Sequence, residues 1–318
     1  MKRRTLLATP LLAAPPALAQ PRMRRIGMLS PGRVPYEMMR AVILPALARE
    51  GFAEGRNLEL VGRVVEGFGP PLRRAAAELL ALRPEVVSAV SLPSVEALFA
   101  LDNTTPIVMF GSSPLVGSAM ADSFSRPGRS VTGVVILAEE LNVKRLELAV
   151  EAFPAVRHIG FLGSLAETDA AIAALREIAT RHGVTLTIER VEQASAIEEA
   201  VVRLAIAGAG MIVVGASPIL ASGFRTIHAA TLPRQIPTVC EWRYLAAAGC
   251  TMSYGPEVLA LRHRHAHQIA RILRGEHPSV IPIEVASRFE LVINLAAARQ
   301  LGTEFPIMLL ARADELIE

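Results

Sequence analysis

The densest cluster of ligating side chains in the sequence is His263, His265 and His267. The pattern predicts a helix over 257–274, on which His263 and His267 share a face at a spacing that can hold a metal ion. Arg262, Arg264 and Arg271 crowd the same stretch and no carboxylate falls between them, so this face reads as basic and solvated and not as a metal site. The signatures of a nucleophile elbow, a zinc-binding H-E-x-x-H, a Walker loop and a G-x-G-x-x-G after a strand are all missing from the sequence. Gly208-Ala209-Gly210 precedes a strand and reads as a turn. No nucleophile–base pair stands out, so no catalytic residue, resident cofactor or metal is expected, and the chain does not read as an enzyme.

A second group of polar residues sits in short loops. Ser30-Pro31-Gly32, Ser91–Ser94, Gly111–Pro114, Gly163-Ser164, Ala216-Ser217-Pro218 and Glu241-Trp242 each follow an apolar run that reads as a strand. Small polar residues there are ordinary turn chemistry when taken singly. Six such loops facing one cleft would suit a small polar ligand, because N–H groups at helix starts can hold a carboxylate. Cys240 and Cys250 are ten positions apart; the spacing permits a disulfide, and buried free thiols are the competing reading. Trp242 and Tyr244 could stack on a ligand or pack in the core.

These loops are positioned by a regular alternation. Strands are expected at 25–29, 58–65, 86–90 and 107–110, with helices near 36–50, 71–82 and 93–101. After a break the pattern restarts: helices near 139–153, 168–182, 195–207 and 220–230 alternate with strands at 158–162, 184–191, 211–214 and 238–240. Alternation of this kind implies α/β architecture, with parallel sheets covered by helices on both faces. The restart implies two lobes, each the size of a small α/β domain. In such sheets ligands sit beyond the carboxyl ends of the strands, where the six loops fall.

The first residues read differently. Lys2, Arg3 and Arg4 precede an apolar stretch that ends in Ala17-Leu18-Ala19, the pattern of a signal peptide over 1–19, cleaved before Gln20. The double arginine also loosely fits a twin-arginine signal, so the export route stays open. The chain of 318 residues has 33 Lys+Arg and 30 Asp+Glu, a formal charge of +3. All of that excess lies in residues 2–4, so the remainder is formally neutral and gives no basic surface for nucleic acid or a membrane. An exported protein, periplasmic in a bacterium with two membranes, is the expectation.

Several segments together resemble a known family. They are Arg25–Gly32, Arg126-Pro127-Gly128 with Val131-Thr132-Gly133, Lys144–Leu148, Met252–Pro256, Phe289–Leu295 and Arg312–Glu315. Their order and spacing are similar, over essentially the whole mature chain, to exported substrate-binding proteins of ABC transporters related to tryptophan/tyrosine-binding proteins. The resemblance implies a type I periplasmic binding protein fold: two Rossmann-like lobes joined by three hinge crossings. Crossings near 131–136, 250–255 and 283–291 would give an N-terminal lobe of 22–133 plus 251–282 and a C-terminal lobe of 134–250 plus 283–318. The implied partners are a small-molecule ligand and an ABC permease, with no nucleic acid, and the protein is expected to be a monomer. A ligand-sensing subunit docking on a membrane receptor is the alternative within the same fold.

Candidate ligand-binding residues, chosen by strand-end position, are Ser30, Ser94, Ser112, Ser113, Ser164, Ser217, Glu241 and Tyr254. The Asp-Pro and Pro-Asp loops common in the family are here Ser113-Pro114 and Ser217-Pro218. Loss of two carboxylates that would pair with a substrate ammonium leaves Glu241 as the substitute. A small organic acid or amino acid, held mainly by hydroxyls and backbone N–H groups, is the expected ligand.

Overall fold

The computed structural model describes residues 22–111 and 115–318; the expected signal peptide, Ser112 and Ser113 lie outside the described residues. The chain begins with β1 (Arg24–Ser30) and a helix that runs as α1 (Arg33–Met38), a π-turn at Met39–Ile43 and α2 (Leu44–Arg49). Then follow β2 (Leu58–Val64), α3 (Pro70–Ala81), β3 (Val86–Val90), α4 (Leu92–Phe99), β4 (Ile107–Gly111) and β5 (Val131–Val135). The second series comprises α5 (Ala138–Ala152), β6 (His158–Ser164), α6 (Asp169–Arg181), β7 (Thr185–Val191), α7 (Ile197–Ile206) and β8 (Met211–Val214). It continues with α8 (Pro218–Ser222), α9 (Phe224–Thr231), β9 (Thr238–Cys240), α10 (Arg243–Ala247), β10 (Met252–Pro256) and α11 (Val258–Leu273). The chain ends with β11 (Glu284–Val285), β12 (Phe289–Asn294), α12 (Leu295–Gln300), α13 (Ile307–Leu310) and β13 (Glu315–Ile317).

These strands form two sheets, ordered β11-β5-β4-β3-β1-β2 and β13-β12-β10-β9-β8-β6-β7. All described pairings are parallel except β10 with β12. The central strands β3, β4 and β8 are buried along their whole length, as parallel strands covered on both faces must be. Each sheet carries a core on either face. In the first, α3 and α4 cover one side through Leu72, Leu79 and Leu98, while α2 and α11 cover the other through Leu47, Ile269 and Leu273. In the second, α5 and α6 pack through Leu146 and Leu175, and α7 and α9 through Leu204 and Ile227. Helix α7 shows the reason in its sequence: Ile197, Ala200, Val201 and Leu204 recur at helical spacing and are fully buried.

The two-lobe α/β expectation therefore describes the molecule, and the chain changes sheet at or within a few residues of the three expected crossings, although the lobe bounds shift. Residues 252–256, expected in the N-terminal lobe, pair with β12 through five register positions and belong to the second sheet. Glu284 and Val285, expected in the C-terminal lobe, pair with Val134 and Val135 and close the edge of the first sheet. The chain thus changes lobe just after β5, between β10 and α11, and just after β11. The reason is long-range pairing, which no local pattern around 250–255 encodes. The helix expected at 220–230 is broken at Gly223, where a Cβ would stand 2.2 Å from Ile197 Cδ1.

Candidate functional site

The carboxyl ends of both sheets face a single cleft. From the first lobe come Val90 at the end of β3 and Phe110 near the end of β4; from the second come Ser217 before α8 and Glu241 after β9. Arg262, on α11, completes the wall between them. The lobes touch beside it. The Val34 N–H donates to Ser222 Oγ across the cleft at 3.1 Å, and Gly67 forms an isolated β-bridge with Gln193. So disposed, the cleft encloses about 40 Å³, room for roughly three water molecules.

Glu241 is placed by the loop it begins. Cys240 and Cys250 are joined in a disulfide, with Cα atoms 6.4 Å apart, so the spacing that left two readings open corresponds to a closed loop carrying Glu241, Trp242 and α10. Gly255 lies against that loop: a Cβ there would stand 2.0 Å from the Glu241 carbonyl oxygen. The Glu241 side chain is 5% exposed and its Oε1 has no hydrogen-bond partner among the described residues. Burial pushes its pKa up to about 7, against the opposing pull of the Arg145 and Arg262 charges. Trp242 and Tyr244 stack with ring centroids 6.3 Å apart; both line the cleft and both pack on the core of the second lobe.

Behind Glu241 lies a buried polar layer. Glu167 accepts from Ser164 N–H at 2.5 Å and Ser164 Oγ at 3.1 Å, and burial raises its pKa to about 7. Arg145 is fully buried on α5, donating to the Tyr254 carbonyl at 3.0 Å and to Asn142 Oδ1 at 2.5 Å.

Arg262 corrects the reading of α11 as a solvated basic face. It is 5% exposed, with its guanidinium carbon 3.7 Å from the centroid of the Phe110 ring. Its Nε and Nη1 have no hydrogen-bond partner among the described residues. Burial lowers its pKa to about 10, which leaves it charged at neutral pH. Beneath it His265 is fully buried, 2.8 Å from Ser88 Oγ and edge-on to Phe110, and burial holds its pKa down at about 3. His263 and His267 are exposed on the opposite face, where His267 lies 2.9 Å from Glu50 Oε1. The sequence carried a signal for this: Val258, Leu261, Ile269 and Ile272 define an apolar stripe, and helical spacing puts Arg262 and His265 on it.

Of the strand-end residues, Ser217 and Glu241 line the cleft. Ser30 Oγ instead donates to the Gly32 carbonyl, Ser164 is bonded to Glu167, and Tyr254 stacks on Phe289. Ser94 is buried in the first turn of α4, its Oγ without a partner among the described residues. Ser217 Oγ caps α8 by accepting from Ile219 N–H at 3.3 Å. Most of these hydroxyls thus serve their own turns. Phe110 and Arg262 are among the cleft residues that strand-end reasoning missed.

Residues 36–317 match the model of the family described as ABC transporter substrate binding protein. Among curated proteins, the tyrosine-binding protein of Clostridioides difficile (strain R20291) is 20% identical over 254 residues, 79% of this chain and 72% of that protein. A conserved domain protein of Vibrio cholerae O1 biovar eltor superposes with a TM-score of 0.83 at 25% identity, covering 93% of this chain and 100% of that one. The ABC domain of Streptococcus pneumonia in complex with L-Trp superposes with a TM-score of 0.80 at 23% identity, with the same coverages. The two-sheet architecture is that of the type I periplasmic binding proteins. With a family match running through both sheets and the cleft between them, this chain belongs to the ABC transporter substrate-binding proteins, a family of ligand-binding transport proteins.

Proposed function

We propose that this protein captures a small organic ligand, an amino acid or another organic acid, between its lobes and delivers it to an ABC importer from the periplasm. One observation supports this above the others: polar groups from both lobes converge, buried, on a cleft at the carboxyl ends of two parallel sheets. A ligand there contacts both lobes at once, so its binding energy favours the closed arrangement over the open one. Closure brings α1 against α8, as in the Val34–Ser222 contact, and presents the membrane partner with a surface that the open form lacks. Tyrosine and L-Trp, the ligands of two relatives, support amino-acid-like molecules as the first to test.

Thermal-shift screening of the mature protein against amino acids, hydroxy and keto acids, aromatic carboxylates, sugars and polyamines tests this reading. A specific binder raises the unfolding midpoint by mass action. Trp242 is the single tryptophan and lines the cleft, so the same compound should alter its fluorescence. A screen in which no compound moves either signal overturns the proposal.

A further inference from the structure

We propose that Arg262 is the carboxylate anchor of the cleft, with Glu241 facing it to receive a hydroxyl or ammonium on the adjacent carbon, so that the ligand is a short α-substituted carboxylic acid. This rests on the reading of the cleft as the ligand site and specifies what it holds. Three observations carry it.

Among the described residues, Arg262 forms no ion pair. The exposed cations of the same helix are paired: Arg264 with Glu284, and Arg271 with Glu276. Arg262 instead sits over the Phe110 ring, its guanidinium carbon 3.7 Å from the centroid, with Nε and Nη1 free of partners among the described residues. The face of an aromatic ring attracts a guanidinium but accepts none of its in-plane N–H groups, which leaves the edge of the fork available to a planar, two-oxygen acceptor.

Glu241 does not fill that role. It comes from the other lobe, lines the same cleft, and also has a carboxylate oxygen without a partner among the described residues. Two buried groups of opposite character thus face one cavity without bonding to each other. Leaving such groups unpaired is costly, and a ligand bearing an acceptor at one end and a donor at the other satisfies both.

The remaining wall limits size and polarity. Pro35, Val90, Ile136 and Trp242 supply apolar surface around a narrow cleft, which favours a small ligand over a bulky one.

The test uses the mature full chain and two sets of probes: glycolate, L-lactate, pyruvate, glycine and L-alanine, and the matched amides glycolamide, L-lactamide, glycinamide and L-alaninamide. Binding is read by calorimetry and by Trp242 fluorescence, at ligand concentrations up to about 10 mM. At least one acid should bind and its amide should not. Arg262→Gln should weaken that acid by roughly 30-fold or more, and Arg262→Lys should restore part of the loss. Because Arg262 is a charge buried without a partner, the ligand-free Arg262→Gln protein should unfold at the same temperature or higher, which a purely structural arginine would not do. Should Arg262→Gln fail to fold, the acid-over-amide preference and the Arg262→Lys variant still decide the matter.

Equal binding of acid and amide, acid binding unchanged in Arg262→Gln, or no binding by any of the five acids overturns the carboxylate assignment. If a sugar or polyamine then binds and perturbs Trp242, the cleft remains the ligand site and only the assignment falls. If no compound of any class binds, both fall.

Discussion

Glu241 is a carboxyl group that the fold removes from water, with one oxygen lacking a hydrogen-bond donor among the described residues. Burial raises its pKa from the usual 4.5 to about 7, so the folded protein holds this proton more tightly than the unfolded chain does. Between those two values the native state binds more protons, and its stability falls as pH rises. His265 works in the opposite direction. Buried neutral, with its pKa lowered from 6.5 to about 3, it costs stability as pH falls through that window, because the unfolded chain gains the proton first. Glu167, raised by burial to about 7, acts in the same direction as Glu241, so His265 offsets only part of the loss of stability as pH rises, and a variant is needed to separate the contributions. Glu241→Gln should match the parent near pH 4.5 and become progressively more stable than it up to pH 7 and above, by roughly 2–3 kcal/mol. Denaturant unfolding of the two proteins across this range measures the difference; parallel profiles would show that Glu241 ionises freely in the fold.

At the scale of elements, the loop from Cys240 to Cys250 connects stability with the site. It carries Glu241, Trp242 and α10 between two buried half-cystines at the end of β9 and the start of β10. Closing a loop of this size stabilises the fold mainly by restricting the unfolded chain, by about 2–3 kcal/mol. Replacing both cysteines by serine should lower the thermal midpoint by several degrees and loosen the binding of any cleft ligand, while a single reducing treatment of the parent should reproduce the stability loss. A double variant that melts with the parent would show that packing alone holds the loop. Much of this level was legible in the sequence. Strands β3, β8 and β9 run over the residues expected, because a covered parallel strand is a short apolar run between turn residues. Other features depend on partners far along the chain. The two-residue β11 exists only through β5, and β10 is held in the second sheet by a parallel contact with β9 and an antiparallel one with β12. Arg262 shows a different gap: its position on the apolar stripe of α11 was visible, but neighbouring arginines concealed it, and only the packed helix separates the buried cation from the solvated ones.

For the whole molecule, the question is what closure of the two lobes requires. Gly32, in the loop after β1, meets α8 of the opposite lobe so closely that a Cβ would lie 2.6 Å from both the Pro218 carbonyl oxygen and Ser222 Oγ. Its backbone is extended, with φ of −171°, a conformation open to any residue, so this position needs glycine for the approach of the other lobe and not for its own geometry. A larger side chain is thus compatible with each lobe separately and incompatible with their closed arrangement. Since a ligand shifts the lobes only by its preference for the closed form, any cost placed on closure reduces apparent affinity by the same factor. Gly32→Val should leave ligand-free unfolding close to that of the parent, increase the radius of gyration seen by X-ray scattering, and weaken whichever ligand the screen identifies by about tenfold or more. Equal radii and equal affinities would mean that the lobes close on ligand without the loop after β1 meeting α8. The separation of effects matters for the transport reading: a protein that still folds and still carries Arg262 and Glu241, yet binds poorly because it cannot close, would locate the transport signal in the relation between the lobes and not in either one.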